Sequence, residues 1–283
     1  MKIGAAIFFT DYSVAPAALG RALEERGFES CWAPEHSHIP VNRATGFPSG
    51  GDLPKAYYDT LDPFVALTGV AAATEKLLIG TGVCLIAQRD PIQTAKLVAS
   101  IDQISAGRFL FGVGNGWNRE EMANHGTDFG LRHKRARENI EAMQAIWSQP
   151  RAEYHGEMVN FDPIFAWPKP VQRPYPPVLV GGAFPYGARR AIRYGNGWMP
   201  HRARPQYENV VDLLPQWHAL VAQSGRDPAG LPVTVWGAKP DLDGLNRDRD
   251  AGVVRVIVTL PSTGMDEVLP RLDRWAEIIA ALA

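Results

Sequence analysis

Cysteine is nearly absent from this chain. Cys31 and Cys84 stand alone in 283 residues, far apart and in no CxxC pair, so no zinc or redox motif is readable. An excess of one charge is also missing. Lys+Arg total 29 and Asp+Glu total 30, a formal charge of -1, which gives no support to nucleic-acid binding as the main task. No apolar run approaches the 18 residues of a membrane span. Met1-Lys2-Ile3-Gly4 leads straight into a strand-like run without the layout of a signal peptide, so the expectation is a soluble cytoplasmic protein. Lysine is scarce, 7 against 22 arginines, which reads as genome composition rather than function. There is no GxSxG, Walker A, HExxH or paired DxD motif. Glu35, His36 and His38 have a spacing that metals use, but no further His/Asp cluster joins them, so no metal site is expected.

What is present fits an ordinary globular chain: 46% hydrophobic and 21% charged residues, enough to bury a large core without disulfides or a structural metal. Eight strand-like runs stand at 3–9, 29–33, 77–83, 108–113, 178–181, 197–199, 233–236 and 253–259. Most are apolar without strict alternation, as parallel strands buried on both faces should be. Helical patterns alternate with them. Pro16 opens one to residue 26, with Gly27 just beyond it. Asp62-Pro63 and Asp90-Pro91 each pair an N-cap with a first-turn proline, opening helices to 74 and about 104. Others are expected at 131–147, 185–194, 205–223 and 265–282, with a short candidate at 241–250.

Strand then helix, eight times, predicts an α/β chain folded as a (β/α)8 TIM barrel, with a doubly wound sheet as the alternative. No linker or composition break appears, so residues 1–283 are expected to form a single domain. Two segments are too long for tight connections. Residues 34–61 follow the second strand at the C-terminal mouth, where barrels carry their chemistry. Residues 149–177 precede the fifth strand and are rich in proline, so they should be extended and stiff rather than helical.

The ends of strands two to five hold the candidate chemistry. Glu35-His36 follows the second strand; His36 is placed either to move a proton or simply to bond within a loop. Gly80-Thr81-Gly82-Val83 closes the third strand, as a bulge or as a close approach to a flat ligand. Gly112-Val113-Gly114-Asn115-Gly116-Trp117-Asn118 closes the fourth, and its GxGxG is weak evidence for a dinucleotide. Gly181-Gly182-Ala183 precedes a helix, where free backbone N–H groups make an anion cradle. Arg189, Arg190 and Arg193 follow, either serving an acidic tail or forming a solvated face. Together these suit a flat, phosphate-bearing cofactor across the barrel mouth.

At these residues the chain resembles the luciferase-like monooxygenase superfamily, and more narrowly its branch of deazaflavin (coenzyme F420)-dependent oxidoreductases. The resemblance covers most of residues 1–200. It rests on Glu35-His36, the stretch from Tyr58 through Asp62-Pro63-Phe64, Leu78-Ile79-Gly80-Thr81-Gly82-Val83, Asp102-Gln103-Ile104-Ser105-Ala106-Gly107-Arg108 and Gly112 through Glu121. Pro168-Lys169-Pro170, Gly181-Gly182 and Gly195-Asn196-Gly197-Trp198 complete it. It implies a ring-bearing cofactor at the C-terminal mouth and a non-prolyl cis peptide at Gly82-Val83. Gly181, Gly182 and Ala183 would take the ribityl phosphate. His36 would lie near the reactive ring edge as the catalytic residue, with Glu35 beside it where several relatives carry aspartate. Trp117 stands where some sugar-phosphate dehydrogenases of the group have an acidic residue, which argues against their substrate.

The resemblance therefore implies an F420-dependent hydride-transfer enzyme acting on an unidentified small molecule. Glu35, His36, Gly82, Val83, Asn115, Asn118, Gly181, Gly182 and Ala183 are the expected cofactor residues, and Phe47, Tyr57, Tyr58 and Trp117 the expected substrate wall. The alternatives are an FMN-dependent two-component monooxygenase, supplied with reduced cofactor by a separate reductase, and a non-catalytic flavin or deazaflavin carrier. Family members often form homodimers, and the helices opened by Asp62-Pro63 and Asp90-Pro91 are available for that or for packing within one chain.

Overall fold

The computed structural model describes residues 1–202 and 209–282. The strands are β1 (Lys2–Ala6), β2 (Ser30–Ala33), β3 (Leu78–Thr81), β4 (Cys84–Leu85), β5 (Phe109–Gly114), β6 (Ala152–His155), β7 (Asn160–Ile164), β8 (Val178–Gly181), β9 (Gly197–Met199), β10 (Val233–Trp236) and β11 (Val253–Thr259). Nine of them form one parallel sheet in the order β3-β2-β1-β11-β10-β9-β8-β5-β4, and a further β3–β5 pairing closes it. β3 and β4 are two halves of one interrupted strand, so the result is a closed eight-stranded parallel barrel. The expected strand at 77–83 thus breaks at Gly82-Val83, whose peptide bond is cis.

Helices surround the barrel where the sequence patterns place them. Asp62 accepts from the N–H groups of Phe64 and Val65, at 2.9 and 3.1 Å, to start Pro63–Ala72. Asp90 accepts from Gln93 N at 2.8 Å to start Pro91–Ile104. Each cap satisfies N–H groups that the first helical turn leaves without partners. The helix expected at 205–223 runs as Val210–Ser224; residues 205–208 of that expectation lie outside the described residues. Residues 149–177 hold the antiparallel hairpin β6–β7, extended as their prolines require. Two short helices were not legible in the sequence: Ala56–Asp59 and Arg119–Asn124.

The barrel interior is a packed core of Ala6, Trp32, Leu110, Leu179, Met199, Trp236 and Ile257. Trp32 fits because its neighbours have no side chain. A Cβ on Gly80 would lie 2.5 Å from the Trp32 ring, and one on Gly4 would lie 2.8 Å from its Nε1. Below that layer Arg255, buried, donates from Nε to Glu29 Oε2 at 2.7 Å and also bonds that carboxylate through Nη2. This ion pair fills the N-terminal end and leaves the C-terminal mouth as the place for a cavity.

Candidate active site

A cavity of about 610 Å3 opens at the C-terminal mouth, bounded by the ends of β2, β4, β5, β8, β9 and β10. Its sides are set by His36, Val83, Asn115, Gly182, Met199 and Trp236. Of the sequence-derived candidates, Glu35, His36, Tyr57, Gly82, Val83, Asn115, Trp117, Gly181, Gly182 and Ala183 all border it.

His36 Nδ1 lies 2.7 Å from Glu121 Oε2, with both side chains buried. The other carboxylate oxygen, Oε1, accepts from Ser37 N at 3.2 Å. Against a carboxylate, which can only accept, the ring keeps its proton on Nδ1, and Nε2 is the nitrogen that can exchange a proton. Read in sequence, Glu121 belongs to the stretch that carries the resemblance but shows no sign of this role. It sits on Arg119–Asn124, whose N-cap Asn118 accepts from Glu121 N at 3.4 Å. Asn118-Arg119-Glu120-Glu121 has the spacing of a capping box, the one local signal that could have marked it. Here the glutamate turns to His36 instead of back to its cap.

Several candidates are placed differently from their expected roles. Asn118 does not border the cavity: it is buried and serves as a helix cap. Glu35 borders the cavity, but both its oxygens are committed. Oε2 accepts from Leu85 N at 2.7 Å and Oε1 from Arg89 Nε at 2.6 Å, while Arg89 Nη2 also reaches Asp62 at 2.7 Å. Glu35 therefore ties β4 to the end of β2. Tyr58 is 51% exposed and does not border the cavity; its neighbour Tyr57 does. Phe47 lies behind the wall, edge-on to Tyr57 and Trp117 at 5.3 and 6.0 Å between ring centroids. Cys84 lies under the site, but burial, followed by the Glu35 charge, pushes its thiol well up, so it is not a thiolate nucleophile.

The Gly181-Gly182-Ala183 segment forms a bare backbone corner. Gly182 has φ +130°, which a side chain rarely adopts. A Cβ on Gly187 would come within 2.3 Å of Gly182 O, so both glycines are required for this approach. Arg190, one turn along the helix Tyr186–Tyr194, borders the cavity here, and its buried Nε has no hydrogen-bond partner. Arg132 is close enough to Arg190 and Arg119 that, after burial, their charges lower its pKa. His133 is pulled down to about 4 by burial and by Arg132 and Arg190. It is therefore neutral at pH 7, and its Nδ1 accepts from Asn115 Nδ2. Arg190 at the bare backbone, with Arg132 near enough to feel its charge and neither in an ion pair among the described residues, makes this corner electropositive and suited to an anion.

The segment 34–61 is fastened over the His36 end. Glu120 Oε1 accepts from Ala44 N and Thr45 N at 3.0 and 3.1 Å. Bonds from Thr45 and these N–H groups hold Glu120 down at about 2. Ser37 Oγ bonds His125 Nε2 at 2.7 Å, and Asn124 Nδ2 bonds His38 Nε2 at 2.8 Å. Among the described residues no group of three His, Cys, Asp or Glu side chains could hold a metal, and no helix is long and apolar enough to cross a membrane.

Comparisons with known proteins agree with this fold. The chain is 40% identical to an uncharacterized protein of Mycobacterium tuberculosis, over 99% of both chains. It is 31% identical to an F420-dependent hydroxymycolic acid dehydrogenase of the same organism, over 79% of this chain and 57% of that one. It is 36% identical to an FMNH2-dependent dimethylsulfone monooxygenase of Pseudomonas putida, over 40% of this chain and 31% of that one. Two solved structures share the fold. The monooxygenase RslO1 of Streptomyces bottropensis has a TM-score of 0.81 at 20% identity, covering 100% of both chains. An F420-dependent secondary alcohol dehydrogenase has a TM-score of 0.77 at 18% identity, covering 100% of this chain and 99% of that one. The relatives thus include both F420-dependent dehydrogenases and FMNH2-dependent monooxygenases. The family described as luciferase-like monooxygenase matches residues 15–239, and with an eight-stranded parallel barrel behind that match, the chain belongs to this family of oxidoreductases.

Proposed function

We propose that this protein is an F420-dependent oxidoreductase that moves a hydride between the deazaflavin and a small organic substrate, with His36 handling the proton. The observation that carries the reading is the buried His36–Glu121 pair at the cavity wall, 2.7 Å between Nδ1 and Oε2. The residues present fit such a cofactor. Gly182 and Gly187 leave a corner that a Cβ would fill, and Arg190 brings an unpartnered buried Nε to it, suiting a phosphate. Gly82, Val83 and Asn115 would border the ring. The identity to an F420-dependent dehydrogenase over 79% of this chain supports the same choice.

When bound, the deazaflavin would supply the hydride acceptor or donor. The chain supplies the rest. In the oxidative direction His36 Nε2 takes the hydroxyl proton of an alcohol as its carbon loses a hydride, and Glu121 stabilises the resulting imidazolium. In reverse, protonated His36 delivers that proton to the carbonyl oxygen. The segment 34–61, held to Arg119–Asn124 through Glu120, keeps water from the reacting atoms. Tyr57 and Trp117, backed by Phe47, would form the substrate side.

The test is a direct titration of the purified protein with F420 and with FMN, followed by fluorescence. Saturable F420 binding and F420-linked turnover abolished in His36→Ala support the reading. Tight FMN binding without affinity for F420 overturns it. That outcome would favour the second reading, an FMN-dependent monooxygenase served by a separate reductase, which the 36% identity to an FMNH2-dependent monooxygenase supports. The proposed assembly is a homodimer through Pro63–Ala72 and Pro91–Ile104, where Val65, Ile92 and Ile104 are exposed; sedimentation analysis tests it.

A further inference from the structure

We propose that residues 46–52 form a gate over the His36 end of the cavity, and that Glu120 is the positioning residue that holds the gate shut. The gate follows from how the cavity wall is fastened, and it stands whichever cofactor and substrate the cavity takes.

The segment 34–61 is pinned on both sides of the gate. On the near side Ser37 N donates to Glu121 Oε1, and Ala44 N and Thr45 N donate to Glu120 Oε1. Two successive glutamates of one short helix thus hold two successive stretches of the segment. On the far side Leu53 is buried, Tyr12 Oη donates to Asp59 Oδ2 at 3.0 Å, and Leu61 N donates to Phe9 O at 2.7 Å. Phe8, beyond the end of β1, packs on Tyr57 with ring centroids at 4.4 Å.

Between these posts the chain turns back on itself, with Gly50 N donating to Phe47 O at 2.9 Å. Gly50 and Gly51 both sit at positive φ, +80° and +70°. Among the described residues a Cβ on either of them, or on Gly46, would meet nothing within 4 Å. Backbone of this kind, in open space and with no side chain to repack, is where a hinge costs least.

The turn completes the wall. It carries Ser49 to the cavity lining. Phe47 at its base lies edge-on to Tyr57 and Trp117, the rings that flank His36 at 5.3 and 5.6 Å between centroids. Arg43 couples the turn's foot to the same wall: it lies over the Trp117 ring at 5.4 Å and donates to Thr45 O at 2.7 Å. Swinging the turn outward takes Ser49 off the cavity and Phe47 off both rings. With the turn in place His36 is only 8% exposed.

Glu120 sets the balance because its bonds to the turn's foot are charge-assisted. Bonds from Thr45 and the N–H groups keep its carboxylate at about 2, so it stays ionised near neutral pH. The gate therefore opens by local fluctuation and not by titration.

Two reagents read the gate without any substrate. Trypsin cuts after Arg43 in proportion to the open population. Diethyl pyrocarbonate acylates accessible neutral imidazole and reports on His36, with exposed His155 of the hairpin β6–β7 as internal standard. Glu120→Ala should speed both reactions about tenfold, since two hydrogen bonds to a charge are lost. Glu120→Gln keeps an acceptor and should fall between Glu120→Ala and the parent. Cleavage at other arginines should keep the parent's rate. Thr45→Cys with Glu120→Cys, joined by a two-carbon bis-thiosulfonate, should acylate at His36 at least tenfold more slowly than the same protein after reduction. Cys31 and Cys84 are buried and out of the reagent's reach. A loss that reductant reverses is one that misfolding cannot imitate, and it decides the question if Glu120→Ala loosens the whole chain. Faster cleavage after Arg43 with His36 acylated at the parent's rate, or a bridge that leaves His36 acylation unchanged, overturns the gate. Neither result bears on hydride transfer, which the cofactor titration tests.

Discussion

His36 and Glu121 stand 85 positions apart in the sequence, yet their side chains meet at 2.7 Å inside the protein, histidine at the cavity wall and glutamate fully behind it. One comes from the segment after β2 and the other from a six-residue helix after β5. Glu121 therefore acts on the cavity only through the ring it orients. Glu121→Gln should lower kcat about 10- to 100-fold and leave KM and cofactor affinity nearly unchanged, because the amide can still accept from Nδ1 but carries no charge. His36→Ala should cost about 100-fold or more, in the range of a lost proton-transfer group. Steady-state kinetics with a separate cofactor titration reads the split. A Glu121→Gln variant whose loss lies in KM alone would contradict the positioning role.

The Gly182 corner should discriminate by phosphate. Gly182→Val places a branched side chain where φ is +130° and where Arg190 Nη2 is 3.1 Å from the Cβ position. Arg190→Ala removes the cation. Both should weaken a phosphate-bearing cofactor at least tenfold, since hydrogen bonds to charged groups contribute about 1.5–3 kcal/mol and 1.4 kcal/mol is tenfold. The dephosphorylated cofactor should lose much less. Equal losses for both forms would place the phosphate elsewhere.

His133 should make stability pH-dependent in a defined window. Its pKa falls from the ordinary 6.5 to about 4 in the folded chain. Between those values the unfolded chain binds more protons, so stability rises with pH there. The contribution is complete above about 6.5, is lost as pH falls through about 4, and then levels off. Protonation also removes the Nδ1 acceptor that Asn115 uses. Urea melts from pH 4 to 7 should show a shallower slope in His133→Gln than in the parent, and added inorganic phosphate should lessen the parent's slope by favouring the protonated ring.

Arg108 should matter for stability and not for chemistry. Its guanidinium donates to Ser105 O, Leu77 O, Ala71 O, Thr74 O and Thr74 Oγ1, at 2.7–3.0 Å. It stands just before β5, at the end of the barrel away from the cavity. Arg108→Ala leaves four carbonyls without this donor and should cost about 3 kcal/mol. For a chain of this size that is a fall in Tm of roughly 6–12 °C. Cofactor affinity of the folded variant should match the parent.

The barrel was legible because each strand–helix unit carries its own local signals. Asp62-Pro63 and Asp90-Pro91 state where helices start whatever surrounds them. The hairpin β6–β7 was not legible, since Tyr154 and Phe161 pair across a segment whose prolines signal only extension. At the site, His36, Gly82 and Gly182 announce themselves by residue type at strand ends. Asn118 reads identically as a helix cap and as a ligand, and only packing separates the two. Tyr57 and Tyr58 are neighbours on one short helix, and its rotation of about 100° per residue sends one to the cavity and the other to solvent. Glu121 needed the third dimension, because nothing near it in sequence says that His36 is its partner.

The Arg255–Glu29 pair closes the N-terminal end of the barrel, so among the described residues the cavity is a vessel that opens at the C-terminal mouth. Such a vessel imposes an order of traffic. Whatever occupies the floor by Gly82 and Trp236 must enter before anything held beside His36 and can leave only after it. With the proposed cofactor at the floor, the two reactants follow a compulsory sequence, and product inhibition should be competitive within each cofactor couple and mixed across substrate and cofactor.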